Sequence, residues 1–234
     1  MVALAILPWS FKFIWGPIID SYRMPSLGIR RPWIAIAQFL MAVTLLAAST
    51  SGSMSSASTL TYLAWVFFVH NCFAALQDVA TDALAVDLLD DSERGRVNGM
   101  MWGSKLFGIA FGGAGMATLI SWTNLNTAVI TQAAITLAIL TVVIAWQERP
   151  GEKRYPWSAG GPEGVVRQHS FGVMITLGEL KRALSTRTTA TLMALAAVYT
   201  MCEGLYDPLT VEVFVQDFGW SAAEFARAQG TWGV

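Results

Sequence analysis

The sequence predicts an all-α, polytopic bundle of membrane-spanning helices, and three observations carry that prediction. The chain of 234 residues is 54% hydrophobic but only 13% charged, whereas a soluble domain carries about 25% charged residues. Its mean hydropathy is +0.50. Its ten tryptophans and twenty glycines suit helices packed in lipid, with aromatic rings at the interfaces. The net charge of −1 gives no indication of a nucleic-acid partner.

A span needs about 20 apolar residues. Such stretches lie near 1–20, 32–50, 60–82, 97–120, 125–146 and 189–215, and another opens at Ser221. The first contains "FKFIWGPIID", which sets Lys12 in an apolar run eight residues before Asp20. A charge at that depth costs about 3 kcal/mol on insertion scales, so it calls for a partner or a task. The connections 21–31, 87–96 and 147–188 hold three, two and seven basic residues, twelve of the chain's fifteen; 51–59, 121–124 and 216–220 hold none. The basic side is expected to face the cytoplasm. This places Met1 on the outer side within an apolar helix, while the chain stops as another helix opens. The expectation is a fragment lacking one span before Met1 and several after Val234. A short protein with an outside N-terminus is the alternative.

Three regions follow: a bundle over 1–146, a linker over 147–188, and the start of a second bundle over 189–234. In the linker, "ERPGEKRYPWSAGGPEG" has loop composition. "SFGVMITLGELKRALS" spaces Phe171, Met174, Leu177, Leu180 and Leu184 as one helical face behind Ser170, a possible N-cap. With Lys181 and Arg182 it predicts a helix lying on the inner membrane surface.

The first charged constellation is "GPIIDSYRMPSLGIRRPW". Asp20 ends a helix against the helix dipole unless cations are near, and Arg23, Arg30 and Arg31 supply them. It reads either as positive-inside anchoring or as a latch whose ion pairs change between conformations. This stretch resembles the signature that joins the second and third helices of the major facilitator superfamily, with Gly16, Asp20, Gly28, Arg30 and Arg31 in matching roles. Its spacer between Asp20 and Gly28 is longer. Together with "LQDVATDALAVDLL" and "FVQDFGWSAAE", the chain from Pro8 to Val234 resembles the branch of the muropeptide permeases and acetyl-coenzyme A transporters. It would correspond to helices two to seven and the start of eight.

Asp78, Asp82 and Lys105 form the second constellation. Asp78 and Lys105 are each about thirteen residues from the turn near Asp91, so at 1.5 Å per residue they lie at similar depth. Lys12 is at comparable depth, and a cluster of Lys12, Asp78, Lys105 and Gln77 is expected. It is either a structural ion-pair cluster or a contact for an anionic substrate. Asp82 lies a turn closer to the basic side. Third, Glu203 and Asp207 share a helical face beside Pro208, which should kink or open the helix. Like charges there can hold a proton, and in the resembling permeases an acidic residue stands near Glu203. Proton coupling is one reading; outer-interface residues, Glu212 included, are the other.

Gly95, Gly99, Gly103, Gly108 and Gly112 are expected to admit close helix packing. Cys72 and Cys202 read as buried free thiols, His70 as a core residue and His169 as a linker residue. No metal spacing, cofactor motif or nucleophile–base set is present, so the sequence does not suggest an enzyme. The resemblance implies a secondary transporter of the cytoplasmic membrane. It would move a polar, anionic solute (a sugar-peptide or an acyl-coenzyme A-like anion) by alternating access, with protons as the candidate coupling ion. Its partners would be the solute, protons and the lipid bilayer. The rival is a non-transporting membrane assembly factor of the same fold.

Overall fold

Proline, glycine and polar punctuation divide the chain into helices. A computed structural model describes residues 7–22, 27–51, 57–155, 157–158, 178, 181–182, 184–221, 224–225 and 228, with Ala57, Thr200 and 203–208 described by backbone alone. Among them are six α-helices: α1 (Trp15–Ser21), α2 (Arg31–Ser49), α3 (Ala57–Leu88), α4 (Asp91–Trp122), α5 (Leu125–Ala145) and α6 (Arg187–Glu212). The chain is all-α in character, and α2 to α5 are each long and apolar enough to cross a membrane. They coincide with four of the expected spans, and α6 runs over a fifth.

The first expected span is not one regular helix. Residues 7–10 are helical, a 3-10 turn follows at Lys12–Ile14, and α1 begins at Trp15. Pro17 explains the interruption, because its missing N–H leaves no α-type donor for the carbonyl four residues earlier. The chain tightens to i→i+3 bonding instead, with the N–H of Trp15 donating to the Lys12 carbonyl.

Residues 1–95 with 125–176 form one compact unit, and 96–124 with 177–234 another. In the first, α2 packs against α3 and α5, and α1 packs on α3. Its core is Ile19, Ile34, Ala37, Leu76 and Ala80, with Trp15, Trp33, Val79, Leu84 and Val143 against it. Lipid tails are as apolar as these side chains, so close contact rather than escape from water favours the packing. Ala37 and Ala80, both fully buried, let the backbones approach; a larger side chain at either would force them apart. Thr44 of α2 shares a 2.9 Å hydrogen bond with the Nδ1 of His70 on α3, and Tyr62 donates to the Ala47 carbonyl at 2.9 Å.

Polar residues mark the ends. Pro32 sits in the first turn of α2, where its missing donor costs nothing. Asp91 and Glu93 occupy the first turn of α4, where the helix dipole favours them. Thr186 caps α6 by accepting the Thr189 N–H at 3.4 Å. That helix continues through Pro208 to Glu212 and then widens into a π turn at Val213–Asp217.

Two expectations change. A Cβ added at Gly95, Gly99, Gly103, Gly108 or Gly112 would meet nothing within 4 Å among the described residues. Small-residue spacing permits a close approach but does not supply the approaching helix. Cys72 is half-buried but Cys202 is exposed, because an apolar run can turn a thiol outward as readily as inward. Of the expected surface helix at 170–185, most lies outside the described residues; Gly178, Lys181, Arg182 and Leu184 are helical.

Candidate functional site

A glycine turn organises the charges at the basic end of the first unit. Gly28 has φ of +110°, a region that side-chain-bearing residues rarely enter. A Cβ there would sit 2.7 Å from Glu148 Oε2 and 3.2 Å from Glu152 Oε2. The turn delivers Arg30 and Arg31 to the start of α2, where both are buried, with 6% and 7% of their surface exposed.

The two arginines do different work. Arg30 forks between two carboxylates: Nη1 donates to Asp20 Oδ1 at 2.6 Å and Nε to Asp87 Oδ2 at 2.8 Å. It thereby ties the end of α1 to the end of α3. Burial opposes its charge, but hydrogen bonds to Asp87 and Asp20 and their negative charges outweigh that and hold its pKa above the ordinary value. Arg31 instead donates to backbone carbonyls: Leu27 at 3.3 Å, Val143 at 3.0 Å, Lys153 at 3.1 Å, Arg154 at 2.6 Å, and Ile144. It thus caps the end of α5, whose last carbonyls carry partial negative charge. Of the expected cations for Asp20, Arg30 fills the role, Arg31 does not pair with it, and Arg23 lies outside the described residues. Gly16 has open space at its Cβ position.

Glu148 completes the arrangement. Its Oε2 accepts the backbone N–H of Arg30 at 2.9 Å and of Arg31 at 3.1 Å. A carboxylate thus meets the exposed donors and positive dipole end of α2.

Deeper in the same unit, a polar seam joins the segment before α1 to α3. Lys12 Nζ donates to Asp78 Oδ2 at 3.1 Å, with side chains 45% and 19% exposed. Trp9 Nε1 donates to Asn71 Oδ1 at 2.7 Å. Asn71 and Asp78 are seven residues apart, two turns along one face. The Oε1 atoms of Gln77 and of Gln38 on α2 are buried without a hydrogen-bond partner among the described residues. Lys105 belongs to the second unit, where its Nζ lies 5.5 Å from the Trp102 ring centroid. The side chains of Glu203 and Asp207 lie outside the described residues.

The residues that sequence reasoning missed are Trp9, Asn71, Asp87, Glu148 and Glu152. Asp87 carried a usable signal, since it ends an apolar span on the same basic side as Asp20. Glu148 carried none, because its partners are more than a hundred residues away.

Comparison with known proteins identifies the family. The family model of the Major Facilitator Superfamily matches residues 1–233. Over 85 residues, 36% of this chain and 17% of the relative, the chain is 35% identical to the anhydromuropeptide permease of Escherichia coli K12. Over 149 residues, 61% of this chain and 34% of the relative, it is 30% identical to a protein of Rickettsia felis named as transporter AmpG 4. An uncharacterized protein of Haemophilus influenzae is 31% identical over 93 residues, 40% of this chain and 21% of that protein. The matches thus span at most about a third of these relatives' lengths. No solved structure matches the chain. The chain belongs to the Major Facilitator Superfamily of transporters, and its relatives within it include the anhydromuropeptide permeases.

Proposed function

We propose that the protein is a secondary transporter of the cytoplasmic membrane that moves a polar, anionic solute by alternating access. The observation that carries the reading is the Lys12–Asp78 pair in the polar seam. An ammonium at membrane depth is costly unless it serves a partner or a pathway. Lys12 holds its carboxylate while nearly half its side chain is exposed, so an anion could reach it. The names of the similar permeases favour a sugar-peptide as the anion, with an acyl-coenzyme A-like solute as the other class from the sequence resemblance. Lys105 joins the proposal from the sequence, as a further cation. The basic connections 21–31, 87–96 and 147–188 are proposed to face the cytoplasm. The Asp20–Arg30–Asp87 latch on that side then biases one of two conformations.

Uptake of labelled anhydromuropeptide into proteoliposomes holding the full-length protein tests this. Lys12→Ala should raise KM with little change in membrane abundance, since a half-exposed pair contributes only about 0–1 kcal/mol to stability. An unchanged KM would remove Lys12 from the solute path. Proton coupling through Glu203 or Asp207 fails if Glu203→Gln and Asp207→Asn both leave the pH dependence and uncoupler sensitivity of uptake intact. Absence of uptake for every anionic solute tried would favour the assembly-factor reading.

A further inference from the structure

The segment after α5 folds back on the latch. Gln147 Nε2 donates to the Glu152 carbonyl at 2.5 Å, and the Arg149 N–H donates to Glu152 Oε2 at 3.1 Å. Arg31 grips the carbonyls of Lys153 and Arg154 from the other side. Residues 147–154 are thereby closed into a short strap, and through Glu148 that strap holds the backbone from which Arg30 reaches Asp20 and Asp87.

Two carboxylates converge inside this strap. Both Glu148 Oε2 and Glu152 Oε2 lie about 3 Å from the point where a Gly28 Cβ would stand, which is why only glycine fits between them. Glu152 is 6% exposed, and Glu148 Oε1 is buried without a hydrogen-bond partner among the described residues. One positive group, Arg31, faces both. Two neighbouring carboxylates in little water do not ionise independently.

We propose that Glu148 is a positioning residue of the latch and that the proton on Glu152 sets how firmly the strap grips it. With Glu152 neutral, Glu148 is not repelled and stays on the N–H groups of Arg30 and Arg31. With Glu152 ionised, the two carboxylates repel and the strap loosens. The charged and titratable groups facing Glu152 are Arg31, from the start of α2, and Glu148 and Arg149 of its own segment. Arg31 in turn faces Arg154 and Tyr155. The Asp20–Arg30–Asp87 fork adjoins them through the backbone of Arg30.

Burial pushes the Glu152 carboxyl above its ordinary value. The Arg149 N–H lowers it, the Glu148 charge raises it, and the charges of Arg149 and Arg31 lower it, leaving it raised. A raised folded pKa gives a contribution that is complete below the ordinary glutamate pKa and is lost as pH rises through the elevated one. The strap is therefore firmest in acid and releases on alkalinisation of the side it faces. This goes beyond the transport reading and depends on it only in treating the fork as a conformational latch.

The test is the mobility of a nitroxide label at position 157 in the full-length protein, with Cys72 and Cys202 replaced. Trp157 is 82% exposed, so a label is tolerated there, and Tyr155, on which its ring stacks, leads directly into the strap. In the parent protein the released fraction should rise with pH, by at most tenfold per pH unit, roughly the limit for a single proton. Glu152→Gln should stay immobile across the range, and Glu148→Ala should stay mobile across it. A parent without pH dependence, or Glu152→Gln with the parental dependence, overturns the proposal. Because the readout is label mobility, it can fail while solute uptake stands, and uptake can fail while it stands.

Discussion

Replacing Gly28 by alanine tests the geometry on which the Asp20–Arg30–Asp87 fork depends. Two penalties can be read from the structure. The backbone φ of +110° costs a residue with a Cβ about 1–3 kcal/mol. The new Cβ would also lie 2.7 Å from Glu148 Oε2, and the carboxylate would have to leave the N–H groups of Arg30 and Arg31. Hydrogen bonds to a charged group contribute about 1.5–3 kcal/mol each; the displaced carboxylate of a half-buried residue can turn to water, so the smaller figure applies to each of the two. A loss of roughly 4–6 kcal/mol results from these two penalties together. Thermal unfolding of the purified full-length protein in detergent is the assay, and the apparent Tm should fall by several degrees. Gly16→Ala is the control, because its Cβ meets nothing within 4 Å and alanine favours a helix over glycine by about 0.5–1 kcal/mol. Gly28→Ala combined with Glu148→Ala should not fall further than the two single losses together, since the same contact is removed twice. Equal and small shifts for Gly28→Ala and Gly16→Ala would refute the reasoning.

Arg30→Lys should destabilise the protein despite keeping the charge. A lysine cannot present two planar donors to Asp20 and Asp87 at once, and leaving one acid unpaired costs at most about 3–5 kcal/mol, less here because both acids are about a third exposed; a Tm equal to the parent's would show that the fork adds nothing over a point charge. Orientation is tested at Asp90, an exposed residue in the 87–96 connection: a single cysteine there, with Cys72 and Cys202 replaced, should react with an impermeant reagent only from the cytoplasmic side. Rapid labelling from outside intact cells would invert the topology.

What the sequence discloses about this molecule is depth, and what it hides is direction around each helix. Counting residues from the turn put Asp78 and Lys105 at one level, with Lys12 at comparable depth, because every helical residue advances by a fixed rise. Which of them meet depends on rotation about the axes, and a nearly uniform apolar surface leaves that unmarked. Asp78 turns toward Lys12, a pairing the depth count allowed but could not single out. The charged motif around Gly28 was legible as a set of residues, yet the split of labour within "RR" was not. Arg30 takes carboxylates and Arg31 takes carbonyls because the Gly28 turn aims them differently, and a φ value is not written in composition. Glu148 was least legible of all, since its role exists only once α5 returns to the start of α2.

The two ion-paired sites are more closely related than their separation suggests. Lys12 and Asp20 lie eight residues apart on one segment, and Asp78 and Asp87 nine apart on α3, so both sites clip the same two stretches about 12–14 Å apart along the helix. The signs differ between the clips. At Lys12 and Asp78 the two stretches attract each other directly, and under the transport proposal an anion arriving at Lys12 would compete with that attraction. At the basic end both stretches contribute an acid, and Arg30 bridges the two. Withdrawal of Arg30 therefore does more than remove a contact: Asp20 and Asp87 lose the positive charge they share, and as like charges they repel. The bridging group, Arg30, stands at the start of a third helix, α2, whose first turn is held by Glu148 and the Gly28 turn, so the position of that turn sets whether the two acids can share one cation.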